Sequence, residues 1–295
     1  MMLIDGKALF SKMKNELAFQ VTSMVANGSA PPHLAAILVG DNPASQTYVN
    51  AKVKACKEIG FKSTVIDYPE DVSQTELLSK IEEINQSKNI DGLIVQLPLP
   101  KHIDENIVTH SIHHYKDVDG FHPINIGRMV LGLPCYMPAT PLGILSLLKE
   151  YKIDTLGKKC LVIGRSHIVG TPVSILMSRN NSIGNATVTL AHSKTKHLRE
   201  LTLNADIIIV AMGVPSFLKS DMVKQGVVII DVGIHRIKSN QTKSGYKLVG
   251  DVDFDDMRSK ASYITPVPGG VGPMTIASLL ANTLQSAKKM IYSRT

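Results

Sequence analysis

Tyr48 and Lys52 stand four residues apart in a stretch whose apolar residues, Val49, Val53 and Cys56, have helical spacing. Residues four apart lie on the same face of a helix, so the phenol and the amine would be neighbours. A lysine that is held near a phenol and partly removed from water can take part in proton transfer. The pair therefore indicates a catalytic site, and the alternative is a solvated pair on a helix surface, which is the commoner role of this spacing.

Two further polar side chains could be presented beside this pair. Gln96 ends a short apolar run and is followed by Leu-Pro-Leu-Pro at 97–100, where proline ends the pairing of a strand. Asp119 lies in the turn-like segment 116–123, which could place a carboxylate at the same edge. The expected site thus combines an amine, a phenol, an amide and a carboxylate.

A glycine-containing turn with the pattern G-x-S-x-x-x-G occupies residues 164–170, in the middle of the chain. It follows the apolar run 160–163 and precedes Pro172, which suits a first helical turn. Such a turn can bind an anion, because free N–H groups and the positive end of the helix dipole point to one place. The pattern departs from G-x-G-x-x-G, so by itself it predicts a nucleotide site no better than a tight connection.

The residues after the next expected strand favour NADP over NAD. An acidic residue that would hold the ribose hydroxyl of NAD is missing there, and the sequence has His-Ser-Lys-Thr at 192–195 instead. The hydroxyl of Ser193 and the cations of Lys194 and Arg165 suit a ribose phosphate. The alternative is that both cations are ordinary surface charges.

Strands and helices alternate along the chain and would position these residues. Helices are expected at 7–25, 45–59, 74–85 and 275–291, and strands at 34–39, 61–68, 92–96, 160–163, 186–191, 205–211 and 227–233. Several strands are near-continuous apolar runs, which are typical of a parallel sheet covered by helices on both faces. We therefore predict two α/β domains with a cleft between them, the second a Rossmann-like parallel-sheet domain.

The boundary between the two domains is expected in the proline-rich passage 133–141. Residues 1–140 together with a returning tail, 267–295, would form the first domain. Residues 141–266 would form the nucleotide-binding domain.

The composition is that of a globular protein, with 44% hydrophobic residues, 19% charged residues and a formal net charge of +7. The basic residues are scattered and form no dense run, so small polyanions are expected as ligands and nucleic acid is not. Three cysteines without a C-x-x-C pair indicate reduced thiols in a cytoplasmic protein. No apolar stretch has the length of a membrane span, so no membrane partner is expected.

Several motifs, in one order, resemble those of the bifunctional methylenetetrahydrofolate dehydrogenase/methenyltetrahydrofolate cyclohydrolase family. They are D-N-P-A-S at 41–45 with Y-V-x-x-K at 48–52, V-Q-L-P-L-P at 95–100, K-D-V-D-G at 116–120, G-R-S-x-x-V-G at 164–170, D-V-G at 231–233 and T-P-V-P-G-G-V-G-P-M-T at 265–275. The resemblance extends over nearly the whole chain, which makes the set more specific than any single motif.

The resemblance implies NADP-dependent oxidation of 5,10-methylenetetrahydrofolate to 5,10-methenyltetrahydrofolate, followed by hydrolysis to 10-formyltetrahydrofolate. It implies that Lys52 is the catalytic lysine, that Tyr48 stands beside it, that Gln96 orients it and that Asp119 holds the pterin ring. The first domain would then bind the folate. Family members are usually homodimers, and the resemblance carries this expectation to the present chain.

The resemblance also implies a set of binding residues. Those for NADP are Gly164, Arg165, Ser166 and Ser193 at the phosphates and Ile234 near the nicotinamide. The folate would contact Tyr48, Lys52, Gln96, Leu97, Asp119 and the loop 266–275, with Pro268 and Gly272. The glycines of that loop would let the backbone approach a flat ring closely.

The sequence departs from the family at His113-His114, where proline is common, and at Ala139, where cysteine is common before Thr-Pro. Neither departure lies on an implied catalytic position. Adjacent histidines without a further ligand at metal spacing are expected in a solvated loop, and no metal is predicted.

Two other functions share some of these sequence features. A short-chain dehydrogenase also uses a Y-x-x-x-K pair, but its glycine-rich turn precedes the pair, whereas in this chain the turn follows Lys52 by more than a hundred residues. A non-catalytic nucleotide-binding or nucleic-acid-binding module would show no NADP-dependent formation of methenyltetrahydrofolate.

Overall fold

The computed structural model describes residues 1–240, 242 and 245–292. By their internal contacts the residues form two compact units. The first unit contains Met1–Phe10 and Thr140–Thr275, and the second contains Ser11–Ala139 and Ile276–Thr295. The expected first domain, which corresponds mostly to the second unit, included residues 1–10 and 267–275. By contacts these residues belong to the first unit, which contains the larger sheet. The functional role of each domain stays a prediction.

Strands and helices alternate through most of the chain. The strands are β1 Met2–Leu3, β2 His33–Val39, β3 Lys62–Tyr68, β4 Gly92–Val95, β5 Lys159–Ile163, β6 Thr187–Ala191, β7 Ile207–Val210, β8 Val228–Asp231, β9 His235–Lys238, β10 Tyr246–Val249 and β11 Tyr263–Ile264. The α-helices are α1 Gly6–Ala26, α2 Pro43–Ile59, α3 Gln74–Gln86, α4 Glu105–Ser111, α5 Pro123–Leu131, α6 Ala139–Glu150, α7 Gly170–Ser178, α8 Leu198–Asn204 and α9 Val271–Ala287.

The first unit is built on a six-stranded sheet in the order β1-β11-β8-β7-β5-β6, and all its neighbouring strands are parallel. Its central strands are runs of isoleucine, valine and leucine that are almost wholly buried. Continuous apolar strands of this kind suit a sheet covered on both faces. The predicted α/β class and the Rossmann-like parallel sheet are confirmed.

The second unit contains a three-stranded parallel sheet in the order β3-β2-β4. Helix α3 packs on it through Leu77, Ile81 and Ile84, which share one core with β2 and β4. These residues are spaced by four and three positions, which places them on one face of the helix. The sheet ends, at the carboxyl end of β4, directly before Gln96.

The proline-rich passage divides into two parts. Residues 133–138 are irregular, as expected of a hinge, but α6 begins at Ala139 and takes Pro141 into its first turn. A proline is tolerated there, because the first N–H groups of a helix have no partner within it. None of the described helices combines the length and the apolar character that crossing a membrane requires.

Candidate active site and cofactor site

Helix α2 positions Tyr48 and Lys52. It begins with Pro43, and the side chain of Asn42 caps it by accepting the N–H groups of Ala44 at 2.9 Å and Ser45 at 3.3 Å. Lys52 is only 8% exposed, so the solvated alternative does not hold for the lysine.

Lys52 contacts Gln96 directly, since its Nζ donates a hydrogen bond to Oε1 of Gln96 at 3.1 Å. The amide of Gln96 is itself oriented, because its Nε2 donates to the carbonyl of Leu97 at 2.7 Å. The backbone N–H of Gln96 donates to the carbonyl of Ile37 in the neighbouring strand at 2.9 Å. The amide oxygen is thus held toward the amine, and the structure brings these two predicted site residues together.

Asp119 follows Val118 in a tightly held turn. Gly120 adopts φ +76°, and a Cβ at this position would lie 2.6 Å from the backbone of Met137, so this close approach requires glycine. The carbonyl of Asp119 accepts the N–H of Ala139 at 3.1 Å. Asp119 and Gly120 are therefore both held against the backbone of residues 137–139.

Asn282 on α9 also holds this turn, and sequence reasoning missed it. Its Nδ2 donates to the carbonyls of Val118 at 2.8 Å and Met137 at 2.9 Å. The side chain is 1% exposed. The local sequence carries no distinct signal for it, because Ser278, Thr283 and Ser286 are further buried polar residues of the same helix.

The electrostatics of the carboxyl and the phenol follow from burial. Burial raises the pKa of the Asp119 carboxyl, and the positive charge of Lys52 acts in the opposite direction. Burial also raises the pKa of the Tyr48 phenol, so this group is protonated at neutral pH and able to donate a hydrogen bond. Lys52, Gln96, Asp119 and Tyr48 all belong to the second unit.

The glycine-containing turn between β5 and α7 has a shape that its two glycines make possible. Gly164 has φ +113°, and a Cβ there would lie 2.1 Å from the carbonyl oxygen of Ala211. A Cβ on Gly170 would lie 1.8 Å from the carbonyl oxygen of Gly164. The close approach of the protein's own backbone therefore requires both glycines, independently of any ligand that the turn binds.

Ser166 precedes helix α7, whose N-cap residue is Val169, and accepts N–H groups at the start of the helix. Its Oγ accepts the N–H groups of Val169 at 3.2 Å and Gly170 at 3.4 Å, and its carbonyl accepts the N–H of Thr171 at 3.0 Å. The prediction of free N–H groups at this helix end does not hold for these three, because a serine at this place satisfies them. Contact between Ser166 and a cofactor phosphate stays a prediction.

The cationic and hydroxyl side chains expected at the phosphates emerge from neighbouring strands. Strands β5 and β6 are paired in parallel with Ile163 opposite Ala191, so the residues that follow them lie side by side at one sheet edge. Arg165, Ser193 and Lys194 are all exposed there. Exposed cations and a hydroxyl at the carboxyl edge of a parallel sheet fit a phosphorylated nucleotide.

Ile234, which was expected near the nicotinamide, follows β8 by three residues. It is 44% exposed, although its side chain is large and apolar. Its position lies at the same carboxyl edge of the sheet in the first unit.

The glycines of the loop 266–275 differ in their reasons for being glycine. A Cβ on Gly270 would lie 2.6 Å from the Cβ of Thr265, and Gly269 adopts φ +113°. In contrast, a Cβ on Gly272 would meet no described atom within 4 Å. Pro268 is exposed. The backbone conformation therefore explains Gly269 and close packing explains Gly270, whereas neither explains Gly272.

His113 and His114 are half-buried, which differs from the solvated loop that was expected. The ring of His114 packs edge-on against Tyr292 with centroids 4.7 Å apart, and it lies 5.8 Å from the ring of His122. Burial and the neighbouring cationic groups lower the pKa of His114. The pair is part of an aromatic cluster that a local sequence pattern could not indicate, because Tyr292 is remote along the chain.

Comparison with known proteins identifies the family. Residues 4–119 match the catalytic domain of the tetrahydrofolate dehydrogenase/cyclohydrolase family, and residues 138–291 match its NAD(P)-binding domain. The bifunctional protein FolD of Cytophaga hutchinsonii is 62% identical over 97% of this chain and 99% of its own length.

Two solved structures are also similar over nearly their full length. The bifunctional FolD enzyme of Campylobacter jejuni has a TM-score of 0.91 at 52% identity and covers 98% of this chain and 99% of its own. The FolD enzyme of Trypanosoma brucei, complexed with NADP and an inhibitor, has a TM-score of 0.93 at 35% identity and covers 99% of both chains. This chain belongs to the tetrahydrofolate dehydrogenase/cyclohydrolase family.

Proposed function

We propose that this protein is a bifunctional enzyme of one-carbon metabolism. It oxidises 5,10-methylenetetrahydrofolate to 5,10-methenyltetrahydrofolate with NADP and then hydrolyses the product to 10-formyltetrahydrofolate. The observation that carries the proposal is the buried amine of Lys52, held by the oriented amide of Gln96. Enzymes named for both activities match the chain over nearly its whole length.

The oxidation requires alignment more than acid–base chemistry. A hydride leaves the one-carbon bridge of the folate, and NADP supplies the acceptor for it when bound. Because no proton moves in this step, no side-chain acid is required, and the protein acts by holding the folate in place. We assign the pterin ring to Asp119, whose turn is fixed by Asn282 and Ala139. Leu97, Pro268 and Gly272 are proposed as further folate contacts.

The hydrolysis does require proton transfer. Water adds to the bridge carbon of the methenyl cation and loses a proton, which gives a carbinol. The carbinol hydroxyl then loses its own proton to form the formyl C=O as the bond from this carbon to N5 breaks and N5 gains a proton, so one proton is released overall. Lys52 is the proposed group that moves the proton, with Gln96 fixing the position of Nζ and the phenol of Tyr48 one helical turn away. The product is 10-formyltetrahydrofolate, which would supply one-carbon units for purine biosynthesis.

NADP is proposed over NAD because of the side chains at the phosphate edge. The exposed Arg165, Ser193 and Lys194 offer two cations and a hydroxyl where NAD enzymes of this fold place a carboxylate. The related enzyme from Trypanosoma brucei is complexed with NADP. Gly164 and Ser166 would shape the same site, and Ile234 would contact the cofactor near the nicotinamide.

The proposal is tested by two absorbance assays on the purified protein. Formation of the methenylfolate band is followed with NADP and NAD in parallel, and its decay is followed after methenyltetrahydrofolate is supplied directly. We expect both activities and a lower KM for NADP. A protein that shows neither activity, or that binds DNA or RNA in a salt-sensitive manner instead, would overturn the proposal.

We also propose that the protein acts as a homodimer in the cytoplasm. Homodimers are usual in the family, and Cys56, Cys135 and Cys160 are buried thiols, as suits a reducing compartment. Light scattering should give twice the mass of one chain, and a monomeric mass at assay concentrations would contradict the dimer.

A further inference from the structure

Asp251 is a fully buried carboxylate in the first unit, with 0% exposure. Its Oδ2 accepts the backbone N–H groups of Met212 at 2.8 Å and Gly213 at 3.0 Å. Its Oδ1 lies 2.7 Å from Nε2 of His235. One carboxylate therefore joins the segment after β7 to the segment after β8.

Asp231 holds Asp251 in turn. Its Oδ1 accepts the N–H groups of Gly233 at 3.0 Å and Asp251 at 2.9 Å, and its Oδ2 accepts the N–H of Val252 at 3.0 Å. Asp231 is 3% exposed and ends β8. The position of Asp251 is thus set by the sheet and not by a loop alone.

Two glycines let the backbone pack directly on these carboxylates. A Cβ on Gly233 would lie 2.4 Å from Cγ of Asp251, and a Cβ on Gly250 would lie 1.8 Å from Oδ2 of Asp231. Any side chain at either position would displace the carboxylates. The absence of side chains at Gly233 and Gly250 therefore lets backbone N–H groups reach the buried carboxylates of Asp231 and Asp251.

The segments that Asp251 joins lie where a ligand would bind. They follow the carboxyl ends of β7 and β8, the edge at which open parallel sheets bind ligands. Their outward residues are unusually apolar for an exposed edge, with Val214 at 43% and Ile234 at 44% exposure. The buried carboxylate thus fixes the backbone directly behind two exposed apolar side chains.

We propose that Asp251 and His235 are positioning residues for the nicotinamide cofactor. Asp251 accepts hydrogen bonds from Met212 and Gly213 on one side and from His235 on the other, and so fixes the two segments that present Val214 and Ile234. This inference rests on the proposed binding of NADP at this edge. Asp251 and His235 take no part in the proposed folate chemistry of Lys52. Substituting them should therefore change the binding of the cofactor and not the hydrolysis.

The first test is Asp251→Asn. This substitution keeps the shape of the side chain but places an NH₂ group against either the backbone N–H groups of Met212 and Gly213 or the imidazole of His235. We expect the KM for NADP to rise about tenfold, since a buried donor loses its acceptor. The rate of hydrolysis of methenyltetrahydrofolate, assayed without cofactor, should stay at the wild-type value. The matched control is Asp256→Asn, an exposed carboxylate of the same unit that accepts two bonds from Ser220, and its KM for NADP should not change.

The second test separates positioning from folding and does not depend on Asp251→Asn being stable. His235→Gln keeps a donor near the place of Nε2, whereas His235→Leu removes it. We expect a raised KM for NADP only in His235→Leu, with hydrolysis unchanged in both variants. A wild-type KM in His235→Leu, or an equal loss of both activities in each folded variant, would overturn the inference. A wild-type protein without NADP-dependent oxidation would instead overturn the proposed function.

Discussion

The lysine site of the second unit and the proposed phosphate-binding edge of the first unit are constructed in opposite ways. Lys52 is 8% exposed and bonded to one oriented amide, whereas Arg165, Ser193 and Lys194 are all exposed side chains. Proton transfer needs one nitrogen, shielded from water and aimed at one atom. Phosphate binding can be shared among several solvated groups. Substitutions should therefore cause a large loss at the first site and small, salt-dependent losses at the second.

The largest effect is expected from Lys52→Met. It should abolish the hydrolysis of methenyltetrahydrofolate, by about a thousandfold or more, while sparing part of the NADP-dependent oxidation, which needs no side-chain proton. The two absorbance assays measure both rates on one preparation. Lys54→Met is the control, because Lys54 lies on the same helix with a side chain 78% exposed. Hydrolysis by Lys52→Met at the wild-type rate would remove Lys52 from the mechanism.

The next effect is expected from Gly170→Ala in the turn of the first unit. Its Cβ would lie 1.8 Å from the carbonyl oxygen of Gly164, so the turn must move. The free energy of unfolding should fall by about 2 kcal/mol, and the KM for NADP should rise. Denaturant titration and the oxidation assay measure these changes. Gly127→Ala on α5 is the control, because a Cβ there meets no described atom within 4 Å, and equal stability of the two variants would contradict the requirement for glycine.

A smaller effect is expected from Asn282→Ala, which removes two hydrogen bonds behind the Asp119 turn. The KM for the folate should rise about tenfold, with the KM for NADP unchanged. Ser286→Ala is the matched control one turn further along α9, since Ser286 donates to the carbonyls of Asp91 and Tyr115. It should lower the thermal midpoint but not change the folate KM. The same folate KM in both variants would show that Asn282 acts only on stability.

The smallest effects are expected at the phosphate edge. Arg165→Ala and Ser193→Ala should each raise the KM for NADP about threefold, as for exposed charge contacts, and leave the KM for NAD unchanged. Because exposed ion pairs are screened, the difference should shrink as salt is added. Arg258→Ala, which removes an exposed cation paired with Asp255 at 3.1 Å, is the control. If Arg165→Ala alone abolished oxidation, the contrast between the two regions would be wrong.

The strands could be predicted because their signal is local. The apolar runs that became β5, β7 and β8 were located to within two residues of their observed ends. Helices α5 and α6 were not predicted, and α6 takes Pro141 of the expected domain boundary into its first turn. The hairpin of β9 and β10 was also missed, since its residues are largely exposed and follow no apolar run.

The candidate sites were predictable only in part. Lys52 lies within a helix and Gln96 directly after a strand, and the sequence indicates both elements. The roles of Asn282 and Asp251 could not be predicted in this way, because each holds segments that are remote from it along the chain. The contacts of Ser166 with the N–H groups of Val169 and Gly170 could not be predicted either, because Ser166 lies in the turn and not at the N-cap position, which is Val169.

The chain passes back and forth between the two units, and this has a consequence for how it is made. The first unit takes its edge strand β1 from residues Met2–Leu3 and continues to Thr275. The second unit takes buried Leu279, Leu280 and Leu284 from the last helix. During synthesis neither core can be completed before helix α9 has left the ribosome. The two units must therefore mature together once helix α9 has emerged, and a cut between Ala139 and Thr140 would leave part of each core on the other fragment.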